Sequence, residues 1–185
     1  EYRSVERKKL LATLLLTGTM MAVEVAGGWL THSLALISDA GHMFTHFFAL
    51  AISLGAILFA SKPSCHHRTF GFYRVEILAA LFNSLLLFAV SAWILVEGVR
   101  RIVHPAPVLG AQMFWIALAG LAVNFISAWI LHGANKEDLN VKGAFLHMLA
   151  DTLSSVAIVI GAVAISLTGW DLIDPVLSIL IALTI

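Results

Sequence analysis

Four side chains carry the chemistry this sequence can do. His42 and His46 stand four residues apart in Ser38-Asp-Ala-Gly-His-Met-Phe-Thr-His46, and His147 and Asp151 stand four apart in His147-Met-Leu-Ala-Asp151. On a helix, residues i and i+4 share one face, with Cβ atoms roughly 5–6 Å apart. Two such faces turned toward each other would present three imidazoles and one carboxylate, a tetrahedral donor set for a divalent transition metal. Either pair alone could equally be an ordinary hydrogen-bonded histidine or a coincidence of spacing. The setting decides between these readings. Both pairs lie in apolar runs long enough to cross a bilayer, where an ionisable group at a helix centre costs about 2.5–3.5 kcal/mol on insertion scales. Groups kept there at that cost face the bundle interior and mark ion or proton paths. Asp39 precedes His42 by three residues and lies on nearly the same face. It could accept a hydrogen bond from an imidazole N–H, relay protons, or simply cap a helix or line a solvated vestibule.

The elements that must position these groups follow from composition. Of the 185 residues, 60% are hydrophobic and 12% charged. A soluble domain is about 45–50% apolar and about 25% charged, so both values point to an all-α integral membrane protein. The formal net charge is zero, which gives no electrostatic reason to expect a nucleic-acid partner. Cys65 is the single cysteine, so no internal disulfide is expected. No cleavable signal peptide is evident, because the charged N-terminus runs straight into a long apolar segment.

Six apolar segments read as membrane spans, making residues 1–185 one transmembrane domain. They run over about 10–30, 34–60, 75–96, 113–131, 144–167 and from 173 onward, each of the first five near the roughly 20 residues a crossing needs. The sixth is cut short at Ile185, so a cytoplasmic C-terminal domain is expected to be absent from this stretch. No alternating apolar–polar run suggests a strand. Lysine and arginine placement sets orientation. Arg3, Arg7, Lys8, Lys9, Lys62, Arg68, Arg74, Lys136 and Lys142 fall on one side, against Arg100 and Arg101 on the other. The positive-inside rule then puts the N-terminus in the cytoplasm.

Other polar residues in the spans read more plainly. Glu24, Asn83 and Asn124 are candidates for hydrogen bonds between helices, each worth about 0.6 kcal/mol. Glu76 and Glu97 lie near span ends and are given no chemistry. Gly18, Gly27, Gly28 and Gly55 are expected where helices approach closely. Cys65, His66 and His67 read as a solvated loop, with a weak metal-collecting role as the alternative. His32, His104 and His132 read as interfacial.

Three runs also carry a family likeness. They are Ser33-Leu-Ala-Leu-Ile-Ser-Asp-Ala-Gly-His42, Arg68-Thr-Phe-Gly-Phe-Tyr-Arg-Val-Glu-Ile-Leu-Ala-Ala80 and Leu139-Asn-Val-Lys-Gly-Ala-Phe-Leu-His147. Together, and in this order, they resemble the cation diffusion facilitator family, in its bacterial zinc, cadmium and cobalt efflux branch. The resemblance implies six transmembrane helices, a following cytoplasmic ferredoxin-like domain, a homodimer, and metal/proton antiport in a bacterial inner membrane. It also implies a His-x-x-x-Asp motif on each of the second and fifth helices. His147 and Asp151 match the second of these; His42 matches the first, but His46 stands where the family usually has Asp. The histidine-rich loop of some relatives between the fourth and fifth spans has no counterpart in Gly133-Ala-Asn-Lys-Glu-Asp-Leu139.

The expected function is therefore a secondary transporter, not an enzyme. Its cargo would be zinc first, with cadmium, cobalt, nickel or iron as further cargo, and protons and the lipid bilayer as its other partners. No resident cofactor is expected. Replacing one carboxylate by imidazole should bias the site away from manganese. A haem-binding membrane protein fits less well, since haem needs ligands on opposite sides of a flat ring. An intramembrane metalloprotease would need the Glu of His-Glu-x-x-His, which His42-Met-Phe-Thr-His46 lacks. A proton-coupled exporter of a non-metal solute is the remaining alternative.

Overall fold

The computed structural model describes residues 2–60, 73–131 and 139–184, with side chains described over 11–45, 47–48, 51, 78, 81–127, 129 and 151–184. Six α-helices account for them: α1 (Tyr2–Thr31), α2 (Leu34–Ala60), α3 (Tyr73–Val103), α4 (Gly110–Leu131), α5 (Leu139–Thr168) and α6 (Ile173–Ala182). Among the described residues there is no strand. The segments Leu11–Thr31, Leu81–Val103, Gly110–Ser127 and Asp151–Thr168 are long and apolar enough to cross a membrane.

The helices are apolar on the outside as well as within. Trp29, Leu30, Phe88, Trp115, Trp129 and Leu167 are all largely exposed. In water such a surface would be unfavourable; in hydrocarbon it is the solvated face. Trp29 near the end of α1, Trp115 near the start of α4 and Trp170 in the α5–α6 turn all belong to the end of the bundle where the short connections lie. Amphipathic rings collect at a membrane–water boundary, and this rim is where such a belt belongs.

Packing is closest between α1 and α2 and between α4 and α5, with α1 also against α4, and α6 against α2, α3 and α5. Small residues allow these approaches. A Cβ on Gly18 would lie 2.7 Å from the Phe47 ring, and one on Gly27 would lie 2.5 Å from Ile116 Cδ1. At Gly28 the obstacle includes the Ser33 carbonyl oxygen at 3.0 Å, so the α1–α2 turn folds back onto α1 itself. The buried apolar cluster Ala35, Leu36, Met113, Ala117, Ile158, Ala162, Ile165 and Ile181 joins α2, α4, α5 and α6.

The short-connection end is held by polar contacts. Ser33 is the N-cap of α2: its Oγ accepts from Leu36 N–H at 3.2 Å. The same hydroxyl donates to Asp174 Oδ1 at 2.6 Å, and Asp174 also accepts from Leu34 N–H at 2.7 Å and Ala35 N–H at 3.2 Å. A carboxylate from α6 thus finishes the cap of α2, using N–H groups that have no partner within their own helix. Arg101 Nη1 lies 4.0 Å from Asp174 Oδ2 and donates to the His32 carbonyl at 2.5 Å. His32 has φ 57°, an uncommon conformation for a residue with a Cβ, and it lets α1 stop and α2 start within two residues. Gly169, φ 66°, closes α5 in the same left-handed conformation without that cost, its N–H donating to Ile165 C=O at 2.8 Å.

Helix α3 extends past the apolar stretch expected to end near Val96. Within that extension Glu97 accepts from Arg101 Nε at 3.1 Å and lies 3.6 Å from Arg100 Nη1. These i,i+4 and i,i+3 pairs let charged residues continue a helix that hydrophobicity alone would have ended. Glu97 is therefore not idle: it orients the arginine that reaches across to α1 and α6.

Candidate functional site

Histidine and aspartate from distant parts of the chain meet in the bundle. His42 Nε2 of α2 lies 2.6 Å from Asp151 Oδ1 of α5. The two residues are 109 apart in sequence, and each side chain is 13% exposed. Helices α2 and α5 touch over only a short stretch, and this contact lies in it. A separation of 2.6 Å between a ring nitrogen and a carboxylate oxygen is a short hydrogen-bond distance, in the range of charge-assisted bonds. Thr45 sits beside it, its hydroxyl donating to the His42 carbonyl at 2.8 Å.

Of the sequence candidates, His42 and Asp151 are thus brought together. His46 and His147 occupy α2 and α5 one helical turn from their partners in sequence. Their side chains lie outside the described residues, as do those of Glu76 and the segments containing Cys65, His66, His67 and His132. Among the described residues no group of three or more potential metal ligands forms.

Asp39 is 3% exposed and lies one turn nearer the short-connection end than His42. It accepts from Ser155 Oγ of α5 at 3.4 Å, and Ser155 Oγ accepts from Asn124 Nδ2 of α4 at 2.9 Å. Asn124 therefore does join two helices, as expected. The buried Oδ1 of Asn83 has no hydrogen-bond partner among the described residues.

Glu24 behaves differently from every other buried acid here. It is 0% exposed on α1, and neither carboxylate oxygen has a hydrogen-bond partner among the described residues. Gly120 of α4 makes the space for it: a Cβ at that position would collide with Glu24 Oε1. The reading of Glu24 as a hydrogen bond between helices is thereby corrected. It packs against a glycine, which has no side chain to bond.

Asp174, to which the sequence alone assigns no role, is 0% exposed and accepts three hydrogen bonds. The available signal was Ser33, a capping residue immediately before the apolar run of α2. Nothing in the local sequence shows that its partner lies 141 residues away.

A family model described as the cation efflux transmembrane domain matches residues 10–185. The metal cation efflux system protein CzcD of Cupriavidus metallidurans is 48% identical over 176 residues, covering 95% of this chain and 56% of the relative. The zinc transporter ZitB of Escherichia coli is 44% identical over 179 residues, covering 96% and 57%. The cadmium, cobalt and zinc/H(+)-K(+) antiporter of Bacillus subtilis is 40% identical over 181 residues, covering 97% and 58%. The chain therefore spans a little over half the length of these relatives.

Proposed function

This chain belongs to the cation efflux family, in its zinc, cadmium and cobalt branch, and from that membership we propose that it exports a divalent transition metal, zinc foremost, in exchange for protons. The observation that carries the reading is the 2.6 Å contact between His42 Nε2 and Asp151 Oδ1. It joins two helices through atoms that both protons and metals bind. The metal ligands are His42, His46, His147 and Asp151.

Competition at those atoms supplies the coupling. Imidazole binds metal only when neutral, and carboxylate only when ionised. Histidine ordinarily titrates near pH 6.5, so a proton can evict the cargo within the physiological range. Geometry adds a mechanical consequence. Ligand bonds of about 2.0–2.2 Å at a tetrahedral angle hold two donor atoms roughly 3.4 Å apart. Accepting metal therefore means spreading His42 and Asp151 by roughly 0.8 Å from their present 2.6 Å. Because α2 is fastened to α6 by the Asp174 cap and by Ser38 Oγ donating to the Ser178 carbonyl at 3.3 Å, that movement is carried to α6. The cycle is alternating access: metal binds from the cytoplasmic side, the bundle rocks, and protons from outside displace it.

His46 tunes the cargo. With imidazole where relatives of this branch usually carry carboxylate, the site favours zinc, cobalt and nickel over manganese. The working unit is a homodimer in a bacterial inner membrane with the N-terminus in the cytoplasm, as the lysine and arginine distribution favours. The test is zinc uptake into proteoliposomes with an imposed proton gradient. Wild type should accumulate zinc as the gradient collapses, and His42→Ala should not. Equal uptake by both would refute the assignment of the site.

A further inference from the structure

We propose that Glu24 and Asp39 form a separate proton-binding site, the station at which the coupling proton waits before reaching the metal ligands. The inference rests on the antiport reading above and adds the residue that holds the proton away from the metal.

Glu24 is a carboxylate that the fold buries without a donor among the described residues. Its oxygens pack against Gly120, whose missing side chain leaves them room. No lysine or arginine pairs with it among the described residues. Among the described residues, Asp39 is a charge of the same sign within electrostatic reach. An ionised carboxylate in such surroundings is opposed by both desolvation and repulsion, and a bound cation relieves both. A proton is the cation this site fits, because a metal would demand several more donors, and no group of three or more potential metal ligands forms among the described residues.

The surroundings give the proton a route. Helix α1 packs against α2 and α4. The titratable residues of α2 are Asp39, His42 and His46, and α4, which meets Glu24 at Gly120, has none. Asp39 stands one helical turn from His42 and is steadied by the Ser155 and Asn124 hydrogen bonds. Glu24 and Asp39 both lie closer to the short-connection end than His42 does. A proton entering from that end binds the Glu24 carboxylate as the neutral acid. It then leaves for Asp39, restoring the Glu24 carboxylate, and finally takes the imidazole lone pair that had held metal. Each transfer moves one proton and no electrons.

Glu24→Gln keeps the shape and removes the exchangeable proton. Infrared spectra of the metal-free transporter at neutral pH should show a protonated-carboxyl band in wild type that is lost in E24Q. In proteoliposomes, E24Q should bind zinc at alkaline pH as wild type does, yet move fewer protons per zinc. An unchanged carboxyl band, or no such band in wild type, overturns the proposal and does not depend on transport. Wild-type proton counterflow in E24Q also overturns it while leaving antiport intact. Counterflow carried by potassium and lost in E24Q overturns the proton assignment. If wild type itself exchanges no protons for zinc, the antiport reading fails, and the infrared band still decides whether Glu24 holds a proton. Should E24Q not fold, the wild-type band and its retention in Asp39→Asn assign the proton to Glu24, and its disappearance in D39N would refute that assignment.

Discussion

Asp174 and Asp151 are both carboxylates inside one helix bundle, and their neighbours treat them in opposite ways. Asp174 accepts from the Ser33 hydroxyl and two backbone N–H groups, none of which loses its proton at any physiological pH. Asp151 meets the imidazole of His42, the side-chain type whose ordinary titration falls in the physiological range. The first arrangement is permanent and ties α2 to α6. The second, as the proposed metal and proton site, would open on a change of proton or metal, and it joins helices that otherwise touch little. The pair teaches that burial of an acid in a membrane bundle does not by itself mark a functional site. The chemistry of its donors separates a clamp from a switch, and Glu24, with no donor among the described residues, is a third case.

That contrast can be broken most severely at the switch. Asp151→Ala should lower zinc affinity at least ~100-fold, the upper end of what losing even an outer partner of a metal ligand costs, while leaving the thermal unfolding of the metal-free protein near wild type. Calorimetric zinc titration and a thermal melt measure both. Asp174→Ala should do the reverse. It strands two helix-terminal N–H groups and the Ser33 hydroxyl and removes one of the two acids near Arg101, so unfolding should become easier by about 3–5 kcal/mol, with zinc affinity of the folded fraction retained. If the two variants proved interchangeable in these measurements, the distinction between clamp and switch would be lost.

The effect of pH sharpens the same difference. Zinc affinity should fall as pH drops from about 7.5 to 5.5, because imidazole protonates there and its charged form cannot bind metal. The Asp174 clamp has no histidine donor and should keep α2 and α6 together across that window, as a spin-label distance between the two helices would report. A smaller change is expected at His46→Asp, which adds a carboxylate and should raise manganese affinity relative to zinc. Competition between the two metals on the purified protein checks it. Smallest is Asn124→Ala, expected to cost only about 0.6 kcal/mol in stability.

Much of this is legible in the sequence. Hydrocarbon demands long apolar runs, so six helices could be read directly, and α2 begins and ends at Leu34 and Ala60 as its apolar run does. The extension of α3 was hidden because Glu97, Arg100 and Arg101 look like the end of a span until their pairing along one helix face is seen. His42 and Asp151 stood out because an imidazole and an acid in an apolar run are costly. The Asp174 cap and the isolation of Glu24 could not be read locally. One depends on a partner 141 residues away, and the other on a glycine in a different helix.

The central claim is that His42 and Asp151 hold one metal ion between α2 and α5. Zinc-edge X-ray absorption on the purified protein loaded with one equivalent of zinc tests it most directly. The account predicts imidazole nitrogen and carboxylate oxygen at about 2.0–2.2 Å in a four-coordinate shell, with that shell disrupted in both His42→Ala and Asp151→Ala. A zinc shell unchanged by either substitution would contradict it.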